Sequence, residues 1–561
     1  MRLAPPLASG FLLGVALLSP RAVQAQDGTW ALTNARIETV TRGTIERGTI
    51  VIRNGLIEAV GTNVTPPGDA RVVDLTGRTV YPGLIDLTSS MGLPTPTGGG
   101  GGFGGGGGGG GGGQAAQSGS GPRYVGLEPA RLVANEVNPS ATDLRAARDL
   151  GITAALIAPT RGAFRGLSAL VPMDEDSAAH KVVRSPVGLH MGFQGVGGRY
   201  PATLLGVIAY ERQQLYDAQR HAAMLDRYRG NPRGTARPSY DADLDALVPV
   251  IRGQLPAFFA ASNENEIRRA LDIAKEFALK VTIVGATEAF RAVDALKASG
   301  RPVVVSVEFP NASTVTGWQY RGAQRRELND SATRDAAVRR LVEGNAAVLH
   351  QAGVRFALAS GALRPNDFLV NVRKAIAAGL PRQAALEALT IRAAEIAGAE
   401  NQLGSIETGK IANLVVSQGD LLSENPQIRM VFVDGVGTEV VPAARGNGTR
   451  AGGGGGGGGP TAQVAGTWAV TVSSPQGEMP STLTLTQSGD AIDGSMTSQF
   501  GTVSISEGRV QGRTITFSMA MTIGGQALQM TAEAEVDGNR MTGRLRTGEM
   551  GTMTFTAERR P

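Results

Sequence analysis

The chain has 561 residues, a formal net charge of +5, no cysteine and only four histidines. Without cysteine it has no disulfide, no thiol nucleophile and no thiolate metal site. The length predicts several domains, and a hydrophobic content of 42% is ordinary for a globular protein. Because the net charge is small and no block of Lys or Arg occurs, we expect no nucleic-acid partner.

The first residues are typical of an export signal. Arg2 precedes an apolar stretch from Leu7 to Leu18, and the pattern Val23-Gln24-Ala25 is typical of a cleavage site. We predict a signal peptide over 1–25 and a soluble product in the periplasm or outside the cell; a retained N-terminal anchor is the alternative. No later segment has the roughly 18 unbroken apolar residues of a membrane helix, so no transmembrane segment is expected after cleavage.

Two strand-rich pieces flank a long middle section. In 27–80, β-branched runs such as Thr49–Ile52 occur, and Asn54-Gly55 is a two-residue hairpin signal. The second piece, 403–442, includes the apolar run Ala412–Val416. Together they predict one small β-sandwich built from both flanking segments.

The middle section, 81–402, alternates strands and helices. Asn263 and Glu266 form a capping pair that begins one helix, and Gly300 ends the next. The strand candidates include Gly151–Ile157, Lys280–Val284, Pro302–Val307 and Val354–Ala359. This alternation predicts an α/β fold, and its length favours a (β/α)8 TIM-like barrel. About six strands are clear, and 160–255 is ambiguous.

Two glycine tracts interrupt the chain. The tract 98–113 is all Gly except Phe103, and 452–459 is unbroken. Both predict flexible coil rather than a phosphate-binding loop, because no Gly-Lys-Ser/Thr follows either one. The first is an insertion near the predicted barrel mouth, and the second lies in a linker over 443–465.

The last segment, 466–561, predicts a separate antiparallel β domain. Thr482–Thr486 and Arg513–Ser518 alternate strictly between polar and apolar residues, and roughly eight strands at regular spacing favour a barrel or a sandwich. Five methionines lie on these strands, and they fit either a flexible apolar ligand pocket or plastic core filling. They are Met519, Met521, Met530, Met541 and Met553.

The region from about 30 to 442 resembles the amidohydrolase superfamily, in particular its imidazolonepropionase-like and prolidase-like branch. The resemblance rests on three segments: GTIVIRNGLIEAVG, VVDLTGRTVYPGLID and LGSIETGKIANLVVSQGDLL. It implies a hydrolase barrel that carries a small β-sandwich. It also implies hydrolysis of non-peptide C–N bonds, such as those of cyclic amides, with zinc or another divalent metal as the cofactor.

The same resemblance shows where this chain departs from the family. Thr88 and Ser90 stand where the family has its first two metal-binding histidines. Ala260 and Gly285 stand where further histidines are expected, and Gly361 replaces the catalytic Asp of the last barrel strand. Neutral hydroxyls are poor ligands for a catalytic divalent metal. We therefore expect no metal, no cofactor and no catalytic residue at these positions.

Four residues remain as a possible pocket: Thr88, Ser90, His190 and Glu308. His190 falls roughly where some relatives place a bridging lysine, and Glu308 ends a predicted strand. One histidine and scattered carboxylates such as Asp86 and Glu288 make a thin metal site. The other histidines have structural interpretations: His221 on a helix face, His350 near a helix C-terminus and His180 in a loop.

Three functional hypotheses follow. The favoured one is an exported superfamily homologue that has lost its metal site and acts as a pseudoenzyme, ligand-binding protein or scaffold. The second is an active hydrolase of amides or cyclic amides with an atypical site that uses His190 and Glu308. The third is an inactive partner subunit of a competent homologue. A small-molecule ligand and a homologous subunit are accordingly the expected partners.

Overall fold

A computed structural model describes residues 28–94, 126–174, 182–195, 200–309, 331–361, 363, 365–424, 426–440, 462–474, 477–488, 491–498, 501–523, 526–547 and 551–560. The expected signal peptide and both glycine tracts lie outside these residues. The chain divides into two compact units, Met1–Arg445 and Gly446–Pro561.

The first unit opens with five strands: β1 (Thr29–Glu38), β2 (Thr44–Arg53), β3 (Leu56–Gly61), β4 (Arg71–Asp74) and β5 (Thr79–Pro82). β2 and β3 pair antiparallel. The residues between them, Asn54 and Gly55, have φ of 52° and 80°. Two successive positive φ angles are what a tight two-residue hairpin turn requires, so the hairpin prediction is confirmed.

Nine strands follow in the barrel region: β6 (Leu84–Ser89), β7 (Ile152–Ile157), β8 (Phe164–Leu167), β9 (Ala169–Pro172), β10 (Leu189–Gly192), β11 (Ala257–Ala261), β12 (Val281–Gly285), β13 (Val303–Ser306) and β14 (Phe356–Ala359). Backbone hydrogen bonds join them in the orders β14-β13-β12-β11-β10-β8 and β6-β7-β9. The pairs within β10–β14 and the pair β6–β7 are parallel, whereas β8 and β9 run antiparallel to their neighbours.

The strands β8 and β9 are one extended segment that joins the two sheets. They meet at the buried Ser168, and the segment pairs with β10 on one side and β7 on the other. The chain from Ile157 to Phe164 holds no crossover helix, and a parallel return needs one. The segment β8–β9 therefore runs antiparallel to its neighbours in the barrel. It lies within 160–255, the range whose strands are ambiguous from the sequence.

Among the described residues, ten α-helices pack around the barrel: α1 (Ala141–Arg148), α2 (Leu204–Gly230), α3 (Ala242–Ile251), α4 (Glu264–Glu276), α5 (Val293–Ser299), α6 (Ser331–Glu343), α7 (Asn345–Gln351), α8 (Pro365–Ala377), α9 (Arg382–Leu389) and α10 (Ile391–Ala397). Two short 3-10 helices span Val133–Asn135 and Ala289–Arg291. The Asn263 side chain accepts a hydrogen bond from the Glu266 N–H, which confirms the capping prediction. Gly300, with φ of 63°, ends α5 as predicted.

Side chains alternate along the barrel strands. Inward-facing residues such as Ile85, Phe258 and Val304 pack together inside the barrel. Their neighbours Leu84 and Phe259 belong to the larger cluster that includes the buried faces of the helices. The lower part of the barrel interior is therefore a packed core rather than a channel.

Three strands follow the last helix: β15 (Leu414–Gln418), β16 (Gln427–Val433) and β17 (Val436–Glu439). They join the first strands in one sheet of order β17-β16-β15-β5-β1-β2-β3, with β4 paired to β1. The antiparallel pair β5–β15 sets Val80 against Val416, so segments from both flanks of the barrel share this sheet.

The second unit is a closed antiparallel barrel: β18 (Gly466–Ser474), β19 (Gly477–Ser488), β20 (Ala491–Ser498), β21 (Gly501–Gln511), β22 (Thr514–Ile523), β23 (Gln526–Asp537), β24 (Arg540–Thr547) and β25 (Gly551–Arg559). Pairing of β18 with β25 closes it. Met519, Met530 and Met541 are buried in its interior. The cavity beside Met519 measures only about 10 Å³, roughly the room for one water. Among the described residues the methionines therefore fill a core.

No helix in the described parts of the chain combines the length and the apolar character needed to cross a bilayer.

Candidate functional site

The carboxyl ends of the parallel strands meet at one face of the barrel, which we call the mouth. In barrels of this kind the reactive groups lie at this face, because the loops that follow the strands surround it. Segments 95–125, 196–199 and 310–330, which follow β6, β10 and β13, lie outside the described residues. The described part of the mouth consists of the strand ends and the residues directly after them.

Asp86 on β6 joins the two edges of the barrel that have no backbone ladder between them. Its buried carboxylate accepts hydrogen bonds from the Ser360 N–H at 3.0 Å, the Ser360 hydroxyl at 2.5 Å and the Thr88 N–H at 3.3 Å. Burial raises the pKa of Asp86, and the three hydrogen bonds oppose that effect. This carboxylate therefore has a structural role in closing the barrel between β14 and β6.

Thr88 and Gly361 contact each other at the same seam. The Thr88 hydroxyl accepts a hydrogen bond from the Gly361 N–H at 2.8 Å. Gly361 has φ of 68°, and a Cβ there would lie 2.3 Å from Ser306 Oγ and 3.0 Å from Glu308 Oε2. Gly361, where the resemblance expects a catalytic Asp, therefore has no room for a side chain, and the Thr88 hydroxyl, where it expects a histidine, is used in closing the barrel.

The other positions at which the resemblance expects metal ligands carry no His, Asp or Glu. Ser90 is exposed, and Ala260 contributes only a methyl group. Gly285 has φ of 94°, and a Cβ there would lie 3.0 Å from Ser262 Oγ.

The four residues of the expected pocket fall into two groups. Glu308 lies beside Gly361 and therefore on the same side of the mouth as Thr88, close to the exposed Ser90. His190 lies on β10, four strands away from β14 in the sheet order. The described structure thus brings Thr88 and Glu308 together and keeps His190 apart from them.

His190 is buried, and its ring stacks on Phe258 with a centroid separation of 4.9 Å and an interplanar angle of 8°. Its Nε2 has no hydrogen-bond partner among the described residues. Burial lowers the pKa of His190 to about 3, and the positive charge of Arg165 adds to this effect. The ring is therefore neutral at physiological pH.

Arg165 is a mouth residue that the sequence did not reveal. It lies on β8 beside a β-bulge in the pairing with β10, and such bulges redirect side chains at barrel rims. Its Nε donates to the Gly162 carbonyl at 3.1 Å. A Cβ on Gly192 would lie 2.5 Å from Arg165 Nη2 and 3.2 Å from Ala260 Cβ. The small residues Gly192 and Ala260 therefore leave space at the strand ends for the guanidinium group.

Burial lowers the pKa of Arg165 to about 10, and the charge of Glu211 opposes the shift. The guanidinium therefore remains a cation at neutral pH.

Glu211 is a second residue of this region that the sequence reading missed. It is fully buried on α2, and neither carboxylate oxygen has a hydrogen-bond partner within the described ranges. Burial raises the pKa of Glu211 well above its usual value, while the charges of Arg165 and Arg212 act in the opposite direction. One signal was available, because Val207, Glu211 and Leu215 follow helical spacing and place Glu211 on the buried face.

The remaining histidines and Glu288 lie in ordinary structural settings. His221 is buried on α2, with Nε2 2.8 Å from Asp245 Oδ1. His350 lies in the last turn of α7, and His180 falls outside the described residues. Glu288 accepts a hydrogen bond from the Glu264 N–H at 3.4 Å.

Comparisons with known proteins agree with this architecture. A sequence profile described as the amidohydrolase family matches residues 323–438. The crystal structure of an amidohydrolase from Thermotoga maritima MSB8 is similar at 25% identity, with a TM-score of 0.57, and covers 72% of this chain and 98% of that one.

The profile match and the Thermotoga maritima structure support the assignment of this chain to the amidohydrolase superfamily.

Two other crystal structures align with the chain at lower identity. One is a prolidase complexed with N-methylphosphonate-L-proline, at 18% identity and a TM-score of 0.42, covering 73% of this chain and 99% of its own. The other is a Xaa-Pro dipeptidase with bound methionine, at 16% identity and a TM-score of 0.42, covering 73% and 100%. No curated protein matches the sequence. The superfamily and fold-class predictions are confirmed, with an antiparallel segment at one barrel position as the difference.

The divalent metal that the superfamily implies does not fit the residues at this mouth. Within the described part of the chain, no three His, Asp or Glu side chains converge into a possible ligand set. The Asp86 carboxylate and the Thr88 hydroxyl are engaged in the barrel seam. The guanidinium of Arg165 places a positive charge at the strand ends, which disfavours a second cation nearby. We therefore derive no catalytic step through a metal.

Proposed function

We propose that this protein is an exported member of the amidohydrolase superfamily that has lost the metal site and binds a ligand at its barrel mouth without hydrolysing it. The hydrogen bond between Thr88 and Gly361 carries the proposal. It joins two positions at which the superfamily resemblance expects a metal ligand and a proton shuttle. Both are used here to hold the barrel edges together.

The charge at the mouth supports an anionic ligand. Arg165 is a cation in a largely desolvated position, and the end of its side chain lies beside Gly192. A guanidinium pairs best with a carboxylate, because its parallel N–H groups match the two oxygens. The class of ligand that we propose is therefore a small carboxylate.

Export is the second part of the proposal. It is supported by the charged start, the apolar stretch and the cleavage pattern that ends at Ala25. Mass measurement of the protein recovered from the periplasm or the medium should give a chain that begins at Gln26. Recovery of the uncleaved chain in the cytoplasm would contradict it.

The alternative of an atypical hydrolase has weaker support. His190 and Glu308 would have to act on one substrate, yet they lie on strands separated by two others in the sheet order. The low pKa of His190 also makes it a poor general base at neutral pH.

The first test measures whether the protein retains a divalent metal and whether it hydrolyses amides. Purified protein that has been incubated with zinc or manganese and then freed of unbound ions should retain far less than a stoichiometric amount of metal. It should leave a panel of amides and cyclic imides unchanged. Stoichiometric retention of metal, or turnover that chelators abolish, would contradict the loss of the site.

The second test asks whether the mouth binds a small carboxylate through Arg165. Calorimetry against a panel of small carboxylates should find binding that Arg165→Gln abolishes. Gly192→Ala should also weaken it, because the new Cβ displaces the end of the Arg165 side chain. Gly68→Ala is the matched control, since nothing lies within 4 Å of its Cβ. Equal binding by the Arg165 variant and the native protein would rule out this role for Arg165.

A further inference from the structure

A cavity lies at the end of the barrel opposite the mouth. Nothing in the superfamily resemblance accounts for it. It measures about 340 Å³, which is within the size range of small-molecule sites. We call it the basal cavity. Its charged lining residues are Arg184, Lys280, Arg301, Arg355, Arg392 and Glu395.

The topology explains why so many cations meet there. Parallel strands all begin at the same end of a barrel, so the residues just before them share one face. Lys280 directly precedes β12, Arg301 lies two residues before β13, and Arg355 directly precedes β14. Neighbouring strands are about 4.8 Å apart, so the residues that carry these charges follow one another in an arc along the edge of the basal cavity.

Most of the charge in the basal cavity is not neutralised. Arg392 pairs with Glu387 at 3.6 Å and with Glu395 at 3.0 Å. Arg184 and Arg355 donate to the backbone carbonyls of Gly398 and Gly300. These carbonyl contacts fix the position of the two guanidinium groups and leave their positive charge in place.

Lys280 and Arg301 differ from the other cations of the cavity. Neither side chain makes a hydrogen bond or an ion pair with another residue in the described ranges, and both face the same space from adjacent strands. Like charges that face one space repel each other, although solvent weakens the effect at the exposed Lys280. An anion in the space that Lys280 and Arg301 share would be attracted by both.

The wall of the basal cavity also has an apolar part. Val187, Val281, Phe356 and Ile396 line it beside the cations. A ligand that fits both parts has a multiply charged anionic group and an attached organic portion. A single carboxylate would leave most of the arc unpaired, whereas a diphosphate carries several negative oxygens that span neighbouring strands.

We propose that the basal cavity binds a phosphorylated small molecule, with its diphosphate group held by Lys280 and Arg301 and its organic portion against the apolar wall. The proposal is independent of the fate of the metal site, because the two sites lie at opposite ends of the barrel. It assigns binding and no chemical step to this face.

The test uses the full-length mature protein and inorganic pyrophosphate as the probe. Calorimetry should detect binding that weakens as the salt concentration rises. The double variant Lys280→Gln/Arg301→Gln should weaken binding at least about tenfold, which is roughly 1.4 kcal/mol. The matched control Arg220→Gln/Lys297→Gln removes the same charge from exposed positions on α2 and α5, and it should bind as the native protein does.

Three results would overturn the proposal. One is the absence of pyrophosphate binding by the native protein even at low salt. Another is equal weakening in both double variants, which would show a diffuse attraction to net charge. The third is unchanged binding by the Lys280/Arg301 variant while circular dichroism shows that it is folded. A nucleoside diphosphate should bind more tightly than pyrophosphate, because its organic portion can contact the apolar wall. Equal affinity of the two ligands would show that the apolar wall does not contribute to binding.

Discussion

At the scale of single residues, Gly361 stands where the superfamily resemblance expects a catalytic Asp, and its surroundings leave no room for one. Gly361 combines a positive φ with close neighbours, since a Cβ would lie 2.3 Å from Ser306 Oγ. A side chain with left-handed backbone geometry costs about 1–2 kcal/mol, and forced overlap in a packed site adds roughly 1–3 kcal/mol. Reintroducing the acid would therefore disturb the seam before it could serve as a proton shuttle.

Gly361→Asp should lower the free energy of unfolding by more than the backbone cost alone. Gly353→Asp is the control, because Gly353 has a similar φ of 72° and nothing within 4 Å of its Cβ. Urea unfolding followed by circular dichroism at 222 nm reports the helices of the first unit. Equal destabilisation by the two variants would show that the Ser306 side chain can move away from the new Cβ without a loss of stability.

His190 makes stability depend on pH. The folded protein keeps this ring neutral down to a pKa of about 3, whereas in the unfolded chain it titrates near 6.5. Below pH 6.5 the unfolded state therefore binds a proton that the folded state does not, and this lowers stability progressively as the pH falls toward 3.

Replacing His190 with Phe should reduce this acid sensitivity, because Phe can stack on Phe258 and has no proton to bind. Melting temperatures between pH 7 and pH 4 should fall less in His190→Phe than in the native protein. His190→Leu serves as a second variant if Phe is too large for the site. If a folded variant and the native protein show the same change of melting temperature with pH, His190 is not the source of the acid sensitivity.

At the scale of elements, the barrel is completed by side chains rather than by a backbone ladder. β14 and β6 are neighbours, and the contacts between them include the hydrogen bonds of Asp86 with Ser360 and of Thr88 with Gly361. A carboxylate that accepts several hydrogen bonds in a buried site contributes more than a single neutral pair does. Asp86 should therefore matter more to the barrel than Thr88.

Asp86→Ala should lower the free energy of unfolding by about 2–4 kcal/mol, since it leaves the Ser360 N–H and hydroxyl without their acceptor. Thr88→Val keeps the side-chain shape, removes one neutral hydrogen bond and should cost about 1 kcal/mol. Chemical denaturation of both variants gives the comparison. A smaller loss for the Asp86 variant would contradict its assignment as the main contact of the seam.

Elements with a local signal could be predicted from the sequence. The Asn54-Gly55 hairpin and the Asn263 cap depend on residues within one turn of each other, so their patterns are visible in the chain itself. The antiparallel segment β8–β9 depends on which distant strands it pairs with. Its residues carry no local mark of direction, and for that reason 160–255 could not be resolved.

The candidate site was predictable only in part, for the same physical reason. The departures at Thr88 and Gly361 follow from the superfamily motifs, but their mutual hydrogen bond requires the closed barrel. Arg165 lies in a segment without periodicity, and its position depends on a bulge and on the small residues opposite. The basal cations are scattered in sequence and meet only because parallel strands share one starting face.

At the scale of the whole molecule, the protein consists of two separately cored units. The first has a barrel with two chemically different ends, one where Thr88 and Gly361 are hydrogen-bonded and one with a cluster of cations. The second is a closed β-barrel whose described interior is filled by Trp468, Phe517 and the buried methionines. A functional account of the first unit can therefore be tested at either end of its barrel independently.

The pairing of β5 with β15 also affects how the chain folds during synthesis. Val80 leaves the ribosome early, but its partner Val416 follows only after the entire barrel region has been made. The early strands therefore lack one neighbour of their final sheet for most of translation, and contacts so distant in sequence form slowly. The export that we propose would benefit from this delay, because a sheet that still lacks its last strands leaves the nascent polypeptide easier to pass unfolded through a translocation channel.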